Sequence, residues 1–332
     1  MSHEINNIPV LVLSCDKYSD LWEPFFTIFF KRWPDCPFPV FLATNHLKFH
    51  HPKVSTIKIG DDLSWATGFL RAIGNFDSNR FILFLEDFLL RESVDTDRIF
   101  ELAKFACEYD VGCLRFAAGL PLALPPSEPT QQCDGVGIIH KDELYRVSCQ
   151  VALWKKETIK KLLVHGMTAW EFEEIGTTLS ESIDDSFWAA YEPAVDYAQC
   201  VEKGKWKPEG IEICRKSDVH IDFKKRSAFS EQELLSYFES GAAKSAIALK
   251  KADALHKFIQ KDRKNALKCI LNCIELRRFD ITLWTILFVG MLWPSLLKDL
   301  KKTHVRFKSR KIKKRFSCEQ KRYACTLSGT SI

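Results

Sequence analysis

The chain has 332 residues, of which 46% are hydrophobic and 27% charged, with a net charge of +5. That balance excludes an intrinsically disordered or collagen-like chain and leaves room for one large domain and an appendage. The charge is uneven: Lys298, Lys301, Lys302, Arg306, Lys308, Arg310, Lys311, Lys313, Lys314 and Arg315 gather near the C-terminus. Such asymmetry points to an anionic partner for that end. The 12 cysteines are scattered, with no Cys-x-x-Cys pair and no His at zinc-knuckle spacing. They read as reduced thiols of a cytoplasmic protein, not a metal-thiolate site. The first residues, Met1 to Asn7, are polar and carry no secretory pattern.

Val10 to Ser14 is an apolar run that predicts a buried first strand. Leu21 to Trp33 follows Ser19-Asp20 as capping residues and predicts a helix stopped by Pro34. Pro39 to Thr44 and Val54 to Ile59 read as further strands. Leu63 to Ile73 has helical apolar spacing, with Asp61-Asp62 placed to cap it. Phe81 to Leu85 is long and apolar enough for a fully buried strand, and it runs directly into Glu86 and Asp87. A buried carboxylate costs several kcal/mol unless it is paired or holds a metal. Neighbours on a strand point to opposite faces, so both acids serve one site only if the strand ends there.

Asp95 to Tyr109 predicts a helix and Val111 to Phe116 a strand. Gly119 to Gly137 holds four prolines and no periodicity, as a binding loop or a plain surface excursion would. Val147 to Leu153 reads as a strand and Lys155 to Val164 as a helix. Tyr197 to Trp206 reads as a closing strand pair around Lys203-Gly204-Lys205. Strands and helices alternate throughout, which predicts an α/β fold with a mostly parallel sheet flanked by helices. Residues 1–230 form that domain and residues 231–332 a helical, basic appendage. Ile281 to Leu297 carries no charge but falls short of the roughly 20 residues a spanning helix needs. With Trp284, Trp293 and the basic cluster beside it, the stretch reads as an interfacial anchor on an anionic membrane surface; a buried helix is the alternative. Few aromatics interleave with the basic residues, so no nucleic acid is expected as a partner.

Several of these motifs occur in an order that resembles the nucleotide-sugar-dependent glycosyltransferases of the GT-A (Rossmann-like) fold, of the bacterial surface-polysaccharide type. The matching residues are Val10 to Asp16, Gly60 to Trp65, Leu85-Glu86-Asp87-Phe88-Leu89 and Trp170-Glu171-Phe172-Glu173. The resemblance implies transfer of a sugar from a nucleotide-diphosphate donor to a glycan or lipid-linked acceptor, at the inner face of the cell membrane. It implies Asp87 as metal ligand for Mn²⁺ or Mg²⁺, with Glu86 beside it, although Glu-Asp-Phe departs from the strict Asp-x-Asp of the family. It places Asp16, Asp61, Asp62 and Arg71 near the donor nucleotide, with Lys203 and Lys205 offsetting phosphate charge. Asp16 and the Asp61-Asp62 pair are equally readable as caps, and the two lysines as a solvated hairpin turn. Acceptor activation needs a carboxylate base. Glu171 and Glu173 are the candidates, beside Trp170 as the acceptor-stacking ring. A metal-dependent nucleotidyltransferase and a non-catalytic membrane-associated scaffold are the alternative functions.

Overall fold

The computed structural model describes residues 5, 7–117, 128–141, 143–237, 263–276, 286–289, 291, 303 and 305–317. The chain divides into one unit of Met1–Phe229 with Ile312–Ile332, and a second of Ser230–Lys311.

The first unit is built on a nine-stranded sheet. Its strands are β1 (Val10–Leu13), β2 (Val40–Thr44), β3 (Val54–Lys58), β4 (Arg80–Leu85), β6 (Cys113–Arg115), β7 (Glu128–Pro129), β8 (Val136–Ile138), β9 (Ala152–Lys155) and β10 (Phe187–Ala190), in the order β3-β2-β1-β4-β9-β6-β10-β8-β7. The run β3-β2-β1-β4 is parallel throughout. β9 enters antiparallel between β4 and β6, and β6 and β10 are again parallel. The expected α/β class, a largely parallel central sheet flanked by helices, is what forms. The strands are readable because both sheet faces are covered, so β1 and β4 are nearly continuous apolar runs. Phe25, Phe29 and Phe84 are fully buried, and Phe84 meets the stacked Phe25 and Phe29 rings edge-on. Such aromatic pairs contribute roughly 0.5–1.5 kcal/mol beyond their buried area.

The helices of this unit are α1 (Trp22–Arg32), α2 (Trp65–Ile73), α3 (Thr96–Glu108), α4 (Lys156–Leu162), α5 (Ala169–Ser180) and α6 (Pro208–Lys216). Their caps differ from expectation in two places. Ser19-Asp20 lie in a 3₁₀ turn over Asp16–Leu21 and do not cap α1. Asp20 instead receives a bidentate pair from Arg226 at 2.8 and 2.9 Å. Ser64, not Asp61 or Asp62, caps α2 by accepting from the Thr67 amide at 3.2 Å.

Residues 147–151 are buried but do not form the expected strand; β9 begins only at Ala152. Three of their backbone N–H groups go to side chains. Val147 donates to Thr177 Oγ1 (3.1 Å), Cys149 to Glu173 Oε1 (2.8 Å) and Val151 to the Tyr197 hydroxyl (3.4 Å). Buried amides must be satisfied. Here α5 and β11 (Tyr197–Gln199) supply the partners that a neighbouring strand would otherwise provide. β5 (Phe88–Leu90) pairs antiparallel with β11 just beyond the Glu86-Asp87 turn. β12 (Val201–Glu202) and β13 (Lys205–Trp206) close a hairpin on Lys203 and Gly204, both at positive φ. That matches the right-handed twist of a two-residue turn.

In the second unit α7 (Arg263–Leu276) is the longest described element, with Ala266 and Ile270 buried. Among the described residues no helix is long and apolar enough to cross a membrane. Most of 281–297, where an interfacial anchor was expected, lies outside the described residues. Residues 305–317 are helical. Within the first unit, Ile312 and Phe316 are buried while Lys313, Lys314 and Arg315 face solvent. Phe316 stacks on His165 at 5.7 Å, and Arg315 Nη2 donates to Gly166 O at 2.7 Å. Gly166 has φ +90°, and a Cβ there would lie 2.6 Å from the Phe316 Cβ. Gly166→Ala is therefore expected to cost about 1–3 kcal/mol, through backbone strain and displacement of Phe316, read as a lower Tm. A Tm equal to wild type would show that this docking contributes nothing.

Candidate active site

Because β3, β2, β1, β4, β6 and β10 run in one direction, their C-terminal ends share one edge of the sheet. Ligands bind at that edge in open α/β sheets. Asp61-Asp62 follow β3, Asn45-His46 follow β2, Ser14 to Asp16 follow β1 and Glu86-Asp87 follow β4. Arg115 ends β6, and the 147–151 segment arrives at the same edge before antiparallel β9.

Glu86 and Asp87 form the turn between β4 and β5. The strand thus ends before both acids, which is the condition for both to serve one site. They face different surroundings. Glu86 is buried; burial raises its pKa most, the Asp87 charge adds to it, and Arg226 and the Ser14 hydroxyl only partly oppose it. Burial likewise raises Asp87, against its own backbone hydrogen bond, the Gln199 side chain and the Lys207 charge. Two carboxylates with no cation in direct ion-pair contact among the described residues are expensive in such a place. No group of three His, Cys, Asp or Glu side chains among the described residues is arranged to cage a metal. The donor set fits an ion of the Mg²⁺ or Mn²⁺ type held by one or two carboxylates together with ligand phosphates.

Asp16 has its carboxylate filled by backbone amides, from Asn45 (2.9 Å), His46 (3.0 Å) and Leu47 (3.2 Å). Asn45 returns a bond to the Asp16 amide (3.0 Å) and donates to Gly60 O (2.9 Å). Asp16 thereby ties the ends of β1, β2 and β3 together. Asp61 meets His46 Nε2 at 2.9 Å, and Asp62 is exposed. Arg71 Nη1 donates to Ile59 O (2.8 Å) and Asp61 O (3.3 Å), so it props the 59–61 loop. Lys203 is exposed in the hairpin turn, and Lys205 lies 6.0 Å from the Phe229 ring centre. The lysine whose charge acts on Asp87 is Lys207, at the N-cap of α6.

The two base candidates separate clearly. Glu171 completes the capping box of α5 with Thr168 and pairs with Arg315 at 3.0 Å. Partial burial pushes its pKa up, but the Arg315 and Thr168 hydrogen bonds outweigh it and the carboxyl ends below its usual range. Glu173, two positions on, turns inward and accepts the Cys149 amide. Burial raises its pKa, offset only in part by that amide and by Arg115. Trp170 is 74% exposed at the start of α5.

No family model matches the chain, and no curated protein matches it. Among solved structures it is similar to S. aureus TarS, at 13% identity and a TM-score of 0.37, over 85% of this chain. The chain spans 55% of the length of that TarS chain. It is also similar to TarS 1-349, at 12% identity and a TM-score of 0.39, covering 98% of this chain and 92% of that one. A third similar structure is TarS 1-349 in complex with UDP, at 12% identity and a TM-score of 0.39, covering 85% and 90%.

Sequence reasoning missed Lys207, Gln199, Tyr197 and Arg115. The first three lie in or beside short elements with no motif around them. Arg115 had a readable signal: an arginine inside an apolar run, Val111 to Phe116.

Proposed function

We propose that the chain is a glycosyltransferase that moves a sugar from a nucleoside-diphosphate donor to a glycan or lipid-linked acceptor in surface-polysaccharide synthesis. The observation that carries this reading is the adjacent carboxylates of buried Glu86 and half-buried Asp87 at the strand-end edge, with the raised-pKa Glu173 on α5. In this account Asp87, with Glu86, faces the donor diphosphate. A bound Mn²⁺ or Mg²⁺ would neutralise the charge developing on the leaving diphosphate. The Lys207 charge, at the N-cap of α6, acts on Asp87. Asp16, Asn45 and Arg71 hold the nucleotide-side loops, with Asp61 and Asp62 on them.

Glu173 acts as general base. It removes the proton of the acceptor hydroxyl as that oxygen bonds to the anomeric carbon, and the carbon–oxygen bond to the diphosphate breaks, releasing nucleoside diphosphate. A carboxylate of raised pKa suits this task better than the ion-paired Glu171. Trp170 offers an exposed face on which an acceptor sugar stacks. Lys313, Lys314 and Arg315, with the basic residues before them, bind an anionic membrane surface and keep the enzyme peripheral on the inner leaflet.

A screen of nucleotide sugars with product analysis tests the reading. Release of nucleoside diphosphate together with a glycosylated product supports it; release of pyrophosphate would make the chain a nucleotidyltransferase. Membrane binding is tested by co-sedimentation with phosphatidylglycerol vesicles. Reversing Lys313 and Lys314 to Glu is expected to lower the bound fraction, and more so at low salt. Equal binding by the variant would remove the surface role of these lysines.

A further inference from the structure

Four of the described arginines of the first unit are buried, and three of them hold two or more hydrogen bonds. Arg80 pairs with Asp110 and donates to Val111 O. Arg146 donates to three backbone carbonyls and lies over the Phe187 ring. Arg226 holds Asp20 with both arms. Arg115 differs. It is 1% exposed, and among the described residues its one hydrogen bond is a long one, from Nη1 to Tyr145 O at 3.3 Å. Nε and Nη2 are buried without a partner among the described residues. Those two N–H groups lie in the guanidinium plane along one edge and form the fork that grips an oxyanion with two parallel hydrogen bonds.

The surroundings are equally incomplete. Arg115 lies opposite Ala152, and the Phe116 amide donates to Val151 O, carrying the ladder one step further. Gln150 lies two residues before Ala152, the position that a continued ladder would give to the Arg115 face. Its Oε1 is also buried without a partner. The Tyr197 hydroxyl accepts from Val151 and keeps its own proton to donate. A buried charge left open costs several kcal/mol, and a fully built site would leave neither the Arg115 fork nor the Gln150 carbonyl empty.

We infer that Arg115, with Gln150 and Tyr197, forms a subsite for the carboxylate of an acidic sugar. The inference rests on the sugar-transfer reading and names the substrate class of that same site. The carboxylate takes the Nε/Nη2 fork, and a neighbouring sugar hydroxyl donates to Gln150 Oε1. A monoanion fits better than a phosphate dianion, because Arg115 brings one positive charge and the Glu143 and Glu173 carboxylates already act on it. The carboxylate belongs either to the donor sugar or to the terminal sugar of the acceptor.

Binding of matched pairs decides it, measured by calorimetry on the full chain. The donor pair is UDP-glucuronate and UDP-glucose; the acceptor pair is a glucuronate-terminated and a glucose-terminated disaccharide. In one pair the acidic member is expected to bind about tenfold tighter or better. Arg115→Met should erase that preference, and Gln150→Leu should weaken the acidic ligand without changing the neutral one. Arg115 has no direct ion pair among the described residues, so Arg115→Met is expected to melt close to wild type, less whatever its charge contributes to Glu143 and Glu173. Equal binding within both pairs, or a preference that survives Arg115→Met, overturns the subsite. UDP and GDP alone serve as controls. If they bind while no acid preference appears, only the subsite fails; if neither nucleotide nor any nucleotide sugar binds, the transferase reading fails too.

Discussion

Asp87→Asn is expected to abolish sugar transfer and, at the same time, to raise the melting temperature near neutral pH. The two effects have one cause. Burial raises the Asp87 pKa above its ordinary range, so the charged form that holds a cation is also the form the fold tolerates least. The sign follows from linkage. Unfolded Asp titrates near 3.9, and the folded value is higher. Between the two, the folded state keeps a proton that the unfolded state has released, so stability falls as pH rises through that window. Asn carries no charge to bury. The gain of Asp87→Asn over wild type should therefore be small at pH 4, grow with pH, and reach on the order of 1–2 kcal/mol by pH 8. Loss of the group that engages the leaving diphosphate should lower kcat by roughly a thousandfold, equivalent to about 4 kcal/mol. A variant that loses activity and also melts lower at every pH would make Asp87 a structural residue. Full activity would remove it from the site.

The second large effect separates Glu173 from Glu171. Glu173→Gln should lower kcat by about 10²- to 10⁴-fold, the usual contribution of a positioned base. Gln keeps a carbonyl oxygen to accept the Cys149 amide, so the fold should survive. Glu171→Gln should leave kcat within a fewfold of wild type, because its carboxylate is committed to Thr168 and Arg315. Gln preserves the capping box, and the exposed Arg315 pair is worth roughly 0–1 kcal/mol, so stability should barely change. The pH profile gives an independent check. With Glu173 as base, activity rises with pH through a pKa above the ordinary glutamate range, because the protonated acid cannot accept a proton. A rate-limiting acid limb below that range would point to Glu171 instead.

The parts of the fold legible from sequence are those where burial on both faces writes itself as an apolar run. Val10 to Leu13 and Phe81 to Leu85 are such runs, and they lie side by side in the sheet. The helices around Ile28, Ile73 and Leu102 are legible for the same reason, through their periodic buried faces. What sequence could not show is where a polar group finds its partner. Val147 to Val151 looks like a strand because its residues are buried, but its amides are held by Thr177, Glu173 and Tyr197, 30, 24 and 46 residues away. Asp20 precedes a helix and resembles a cap, yet it is spent on Arg226, 206 residues on. Glu171 and Glu173 are indistinguishable as letters; a helical turn sends one to the cap and the other toward Cys149.

Nucleotide binding tests the central claim, that the Glu86-Asp87 edge holds the donor diphosphate. The measurement is the thermal shift of wild type and Asp87→Asn with UDP and with GDP, each with and without Mn²⁺. The account predicts a shift for wild type with one of the nucleotides that is larger with Mn²⁺, and a shift for Asp87→Asn that is small and insensitive to the metal. Equal, Mn²⁺-dependent shifts in the two proteins, or none in either, would contradict it.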